Sequence, residues 1–209
     1  KEREPDRQYH ADQATTDNSS PQISQMNYWL HSPSLLSKKV FPQIINNRPL
    51  FFILIDNMRF DQWKIISAEL VGLFRIVEEE IYFSILPTAT QYSRNAIFAG
   101  LMPSQIADAM PQFWINDDEE EGKNNFEEEL FRNLLMRKGL KYKWSYNKIS
   151  SETEGKKVNE KIRQFLENDI NILVYNFVDM LSHARTEIGL IRDLAEDEPA
   201  YRSLIRSWF

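Results

Sequence analysis

The stretch Leu50 to Arg59, LFFILIDNMR, constrains this chain more than any other, because a continuous apolar run ends abruptly on a carboxylate. Phe51 to Ile55 are β-branched, aromatic or leucine without alternation, the pattern of a strand covered on both faces and set in mid-sheet. In open α/β sheets ligands bind beyond the carboxyl ends of the strands. Asp56, with Asn57 and Arg59 close behind, therefore stands where chemistry is normally done. Asp56 also has a plainer use, as N-cap of a helix through Phe60, Trp63 and Ile66, and this stretch alone does not choose between the two.

The beat of strand and helix continues along the chain. Ile81 to Leu86 reads as a second strand, followed by a helical pattern in Tyr92, Ala96, Ile97 and Ala99 that stops at Gly100. Ser104 to Gly122 reads as a long polar loop containing Phe113, Trp114 and the acidic run Asp117 to Glu121. Phe126, Leu130, Leu134 and Leu135 mark a helix ended by Gly139, and Lys141 to Tyr146 alternates as a third strand. Val158, Ile162, Phe165 and Leu166 mark another helix before the apolar strand Ile170 to Phe177. This order predicts an α/β fold, a mostly parallel sheet with helices on both faces. Lys1 to Pro21 is polar and aperiodic, and Ile23 to Leu36 suggests a short helix or a docking segment ending near Pro33.

Composition narrows the chemistry. A net charge of -6 argues against counterion-driven binding to long nucleic acid, while leaving room for small anions in a local pocket. The absence of cysteine removes disulfides, thiolate catalysis and Cys-ligated zinc, so a transition metal would rest on Asp, Glu, His or a hydroxyl. No apolar run reaches the roughly 18 residues of a membrane span and no leader opens the chain, so a cytoplasmic protein without membrane insertion is expected.

Two further segments follow predicted strands as Asp56 does. Thr88 and Thr90 open a helix, where backbone N–H groups and the positive dipole end favour a phosphoryl group; their alternative use is as N-caps. A threonine hydroxyl is a poor nucleophile until a base or a cation activates it. In Asn176 to His183, NFVDMLSH, Asp179 and His183 stand at i and i+4, a spacing that suits two ligands of one metal ion or, alternatively, a surface ion pair. Arg59, Arg94 and Asn95, with Asn57, are lesser candidates for contacting phosphate oxygens.

The blocks IDNMR, LPTAT with Ser93-Arg94 and AGLMP, and VDMLSH resemble, in order and approximate spacing, the alkaline-phosphatase superfamily. Within it the chain is similar to the PglZ-type domain of PorX-like response regulators of type IX secretion. The resemblance implies residues 1–39 as a connector and 40–209 as the N-terminal part of the domain, truncated on its C-terminal side, since no histidine follows His183 to complete the expected ligand set. It further implies that Asp56 and Thr90 ligate one zinc ion, that Thr90 is the nucleophile, and that Asp179 and His183 ligate a second, about 4 Å away. The implied activity is phosphodiester hydrolysis on short or cyclic oligonucleotides. The implied partners are a sensor kinase, a sigma factor or the secretion machinery, with a homodimer as assembly. The competing expectation is a catalytically incomplete, phosphatase-like scaffold for dimerisation or partner binding.

Overall fold

The computed structural model describes residues 30–115, 125–187 and 195–207. Lys1 to Pro21, the part of the docking segment before Leu30, and the acidic run Asp117 to Glu121 lie outside these residues. The sheet has three parallel strands, β1 (Leu50–Ile55), β2 (Trp144–Ile149) and β3 (Ile170–Tyr175), in the order β1-β3-β2. The α/β class is as expected, but the middle strand is β3, not β1. Residues 170–174 of β3 are buried because the strand has a neighbour on each side. β1 lies at one side of the sheet among the described residues, and its Ile53 is 52% exposed. Both outer strands pair with β3 in one register, so Ile55 and Ile149 stand opposite Tyr175 and the three strands end level.

Alternation along β3 divides the core. Ile170, Ile172 and Val174 face α2 (Thr90–Ala99) and α4 (Glu127–Arg137), packing against Ile97, Phe98, Leu130, Phe131 and Leu134. Leu173 and Tyr175 point the other way, toward Val158 of α5 (Glu152–Glu160) and Phe165 of α6 (Ile162–Phe165). Helices α1 (Phe60–Leu70), α7 (Phe177–Glu187) and α8 (Glu198–Arg206) form a third cluster through Ile66, Val178, Leu181, Tyr201 and Ile205, which reaches the sheet at Ile55. Asn171 is fully buried within the apolar run of β3. Its amide donates to the Phe165 carbonyl at 2.9 Å and its oxygen accepts from Ser145 and Asn168, each at 2.8 Å, so the side chain is satisfied and ties α6 to the sheet.

Three segments depart from expectation. Ile81 to Leu86 is not a strand: its backbone pairs only at Phe83, in a single bridge with His31, and Ile81 and Leu86 are exposed. β-branched and aromatic residues favour a ladder, but without a partner strand that preference forms none. The third strand begins at Trp144 because the ladder with β3 starts only after the Lys143 carbonyl accepts from Asp169 and Ile170. The segment expected as a polar loop, Ser104 to Gly122, opens instead within α3 (Pro103–Ala109), anchored by the fully buried Ile106. Pro103 at its first turn, and the Gln105 side chain accepting from the Met102 N–H at 2.9 Å, are start signals that its polar composition masked.

Helix α2, which carries Thr90 and Arg94, is fixed at its far end by Gly100. This residue has φ 60°, and a Cβ there would lie 2.7 Å from Leu134 Cδ1 of α4. Glycine suits the left-handed cap and lets the two helices approach without displacing the Leu134 side chain.

Candidate active site

Beyond the level strand ends lies a cleft of about 750 Å³. Asp56, Asn57 and Arg59 enter it after β1, Thr88, Thr90 and Arg94 from the start of α2, and Asp179 and His183 from α7. Three segments far apart in sequence therefore share one cavity. Asn95 does not join them; it is 3% exposed within α2 and is not part of the cleft wall.

Asp56 is placed by β1, its N–H donating to the Tyr175 carbonyl at 2.9 Å. Asn57 follows with φ 56°, a left-handed conformation that asparagine tolerates better than most residues. That turn aims its amide at Asp179 Oδ1, 3.3 Å away, so the end of β1 is tied to α7. Asp56 is not the N-cap of α1; Arg59 holds that position, its N–H donating to Gln62 Oε1 at 2.9 Å. The Arg59 guanidinium is committed to Asp61, at 2.9 and 3.0 Å, and to Glu198 of α8 at 2.5 Å. It braces the cleft wall rather than offering a free phosphate contact.

The start of α2 also resolves the choice left open by the sequence. Ala89 is the N-cap, with no side-chain acceptor, and Thr90 is the first helical residue. The threonines are thus not used as caps. Ser93 holds the preceding turn by donating to the Thr88 carbonyl at 2.9 Å.

One turn on, Arg94 is 4% exposed and forms an ion pair with Asp56 Oδ2. Its other terminal nitrogen pairs with Glu127 of α4 at 2.7 and 2.9 Å, and Nη1 also donates to Asn176 Oδ1 at 3.2 Å. Burial alone would lower the Arg94 pKa, but the Glu127 and Asp56 carboxylates outweigh it and hold the guanidinium above its ordinary value. Burial pushes the Glu127 carboxyl up, against the pull of Arg94 and of the Tyr146 hydroxyl, which donates to Glu127 at 2.5 Å. Arg94 is therefore a wall residue with its charge engaged, not a solvated arginine.

Glu127, Tyr146 and Asn176 belong to this constellation although their sequence contexts drew attention to other residues. A signal for Glu127 was present: it precedes Leu130 and Leu134 by three and seven positions, so a carboxylate falls on the buried stripe of α4. Such a charge needs a buried cation.

At α7, His183 Nε2 lies 3.6 Å from Asp179 Oδ1. Burial, then the nearby negative charge of Asp56, raises the Asp179 pKa. Two carboxylates and an imidazole facing one cavity suit a divalent cation in kind. They do not suffice in number: among the described residues no group of three or more His, Cys, Asp or Glu side chains is close enough to hold a metal ion. Asp56 in particular has one oxygen occupied by Arg94.

A parallel sheet between layers of helices, with its polar cleft past the strand ends, makes this an open α/β domain consistent with an alkaline-phosphatase-like fold. Compared with known families, residues 35–207 match the BREX system PglZ alkaline phosphatase-like domain, and the chain belongs to this PglZ family. The family suggests a phosphoesterase-type hydrolase. Comparison with curated proteins gives no match. No helix among the described residues is long and apolar enough to cross a membrane.

Proposed function

We propose that this chain carries the nucleophile of a metal-dependent phosphoesterase that cleaves phosphodiesters such as short or cyclic oligonucleotides. The observation that carries the reading is Thr90. It opens α2 without serving as its cap, and it faces the cavity that Asp56, Asp179 and His183 also line. A phosphoryl group at that helix start would meet the positive end of the α2 dipole. Thr90 Oγ1 would attack phosphorus in line and expel one alcohol, which takes up the proton lost from the hydroxyl; water would then hydrolyse the bond between phosphorus and the threonine oxygen, releasing a phosphate monoester and restoring the hydroxyl. Arg59 and Asn57 would shape the entrance rather than neutralise the substrate, since both are engaged by neighbouring side chains.

Asp179 and His183, with the remaining oxygen of Asp56 and Thr90, would hold the divalent ions, zinc by resemblance; such ions neutralise phosphoryl charge and lower the pKa of the attacking hydroxyl. The connector expected over residues 1–39 would end earlier, since the family match begins at residue 35 and Leu36 is buried in the core, and residues 40–209 would belong to the catalytic domain. The resemblance to PorX-like regulators supports an output domain of a two-component system controlling type IX secretion. The family description instead ties PglZ to the BREX system. A receiver domain encoded upstream in the same gene supports the first setting, and its absence removes it.

The test is zinc-stimulated hydrolysis of bis(p-nitrophenyl) phosphate by the full-length protein. Thr90→Val is expected to lower kcat by at least about 1000-fold, as for a residue that acts as the nucleophile. A loss of only a few-fold removes that assignment. The occupied oxygen of Asp56 and the incomplete ligand set favour a second reading, a phosphatase-like scaffold that dimerises or binds a signalling partner. A full-length protein that neither binds divalent ions nor cleaves the diester but forms a dimer in analytical ultracentrifugation would support it.

A further inference from the structure

The wall behind Asp56 holds a chain of charge-assisted contacts that the hydrolytic reading does not itself require. Tyr146 on β2 donates to Glu127 on α4, Glu127 pairs with Arg94 on α2, and Arg94 pairs with Asp56 at the end of β1. The inner members are sealed: the side chains of Arg94 and Glu127 are 5% and 0% exposed, while that of Asp56 is 16% exposed and reaches the cleft. Asn176, after β3, accepts from the same Arg94 nitrogen that meets Asp56, so the turns ending β1 and β3 are gripped by one guanidinium.

We propose that Arg94 is a positioning residue for Asp56: braced by Glu127 and Tyr146, it fixes one carboxylate oxygen and leaves the other to the reaction. The inference rests on the phosphoesterase reading for its kinetic consequence but not for its geometry. A carboxylate held through one oxygen by a planar donor loses the freedom to rotate, and its remaining oxygen presents a single direction. Arg94 has its terminal nitrogens engaged from behind, and only its buried Nε lacks a partner. It therefore acts through Asp56 rather than by gripping the substrate. Residues that orient a reactive group in this way typically change activity by about 10- to 100-fold when altered.

Steady-state kinetics on bis(p-nitrophenyl) phosphate with zinc separate these roles in the full-length protein. Glu127→Gln is expected to lower kcat by about 10-fold or more, and Tyr146→Phe by a smaller factor, with KM within about two-fold of wild type in both. A raised KM with kcat intact would show that Arg94 touches the substrate and would overturn the proposal, as would unchanged parameters in both variants. Should Glu127→Gln fail to fold, Tyr146→Phe alone decides, because it removes one hydroxyl and leaves the Arg94 pair in place. If the wild type cleaves no diester, the phosphoesterase reading fails, and the positioning claim is judged by nitrogen-15 NMR. The guanidinium signals of Arg94 should be slow to exchange in the wild type and lost or displaced in Asp56→Asn. Signals indifferent to Asp56→Asn would overturn it.

Discussion

Asp56 and Arg94, 38 positions apart, meet as an ion pair in the cleft wall, joining the end of β1 to the first turns of α2. The same guanidinium also reaches Glu127, whose side chain is fully buried. Removing it strands that carboxylate, while Asp56 keeps its access to the cleft. Arg94→Met is expected to destabilise the protein by about 3–5 kcal/mol, measured by urea unfolding. Adding Glu127→Gln should return part of the loss, because the neutral amide no longer carries a buried charge. A double variant no more stable than Arg94→Met alone would show that the pair is not coupled.

Asn57 combines a left-handed backbone with a hydrogen bond to Asp179, and two substitutions separate these uses. Asn57→Gly keeps the turn and loses only the contact. Asn57→Ala loses both and should be less stable than Asn57→Gly by about 1–2 kcal/mol, the penalty of a Cβ in that region. Equal stability of the two variants would remove the backbone argument.

Gly100→Ala places a methyl group against Leu134 at a position with φ 60°. Overpacking of this kind costs about 1–3 kcal/mol, to which the left-handed strain adds. Because Gly100 ends the helix that carries Thr90, the melting temperature should fall even though no cleft residue is altered. Gly139 has φ 65° but open space around it, so Gly139→Ala should show only the backbone part of the effect.

The Arg59 hydrogen bond to Asp61, joined by Arg202 of α8, holds the Asp61 carboxyl well below its ordinary value. A depressed carboxylate stabilises the folded state above its unfolded pKa of about 3.9 and loses that contribution as the pH falls through the lower folded value. Asp61→Asn should therefore melt slightly below the wild type at pH 7. The difference should narrow as the pH drops below about 4 and should shrink in high salt, because the pair is exposed. A gap that widens toward acid would contradict the assignment.

The metal reading predicts a thermal shift that does not depend on turnover. Zinc at one hundred times its dissociation constant should stabilise the full-length protein by about 2.7 kcal/mol. His183→Ala and Asp179→Asn should each reduce that shift. Thr90→Val should affect it less than it affects hydrolysis. A wild-type protein whose melting temperature ignores zinc, manganese and magnesium would exclude the ligand roles of Asp179 and His183.

Local rules located the α/β class, the gathering of Asp56, Thr90, Asp179 and His183 in one cleft, and the stop at Gly100. These are properties of apolar runs, caps and i, i+4 spacing, each written within a few neighbouring residues. Strand order was not legible. Whether β1 or β3 takes the middle depends on which strands find partners, and Ile81 to Leu86 has the composition of a strand without the neighbour that would make it one. The Arg94 pairings were hidden for a related reason, since nothing near position 94 announces that positions 56 and 127 will be beside it. What could have been seen is the mismatch itself, an arginine among Ile97, Phe98 and Ala99 and a glutamate on the buried stripe of α4.

The level finish of the three strands separates scaffold from chemistry within this domain. Asp56, Asn57, Thr90, Arg94, Asp179 and His183 all hang from turns or helices rather than from the strands, so relatives can exchange them without disturbing the ladders beneath. β3 is the exception to that tolerance: one residue inserted there would unzip two ladders at once and swing α7, with Asp179 and His183, away from its neighbours. The same insertion in β1 or β2 breaks one ladder. Length variation among homologues should therefore gather around the flanking strands and spare the middle one.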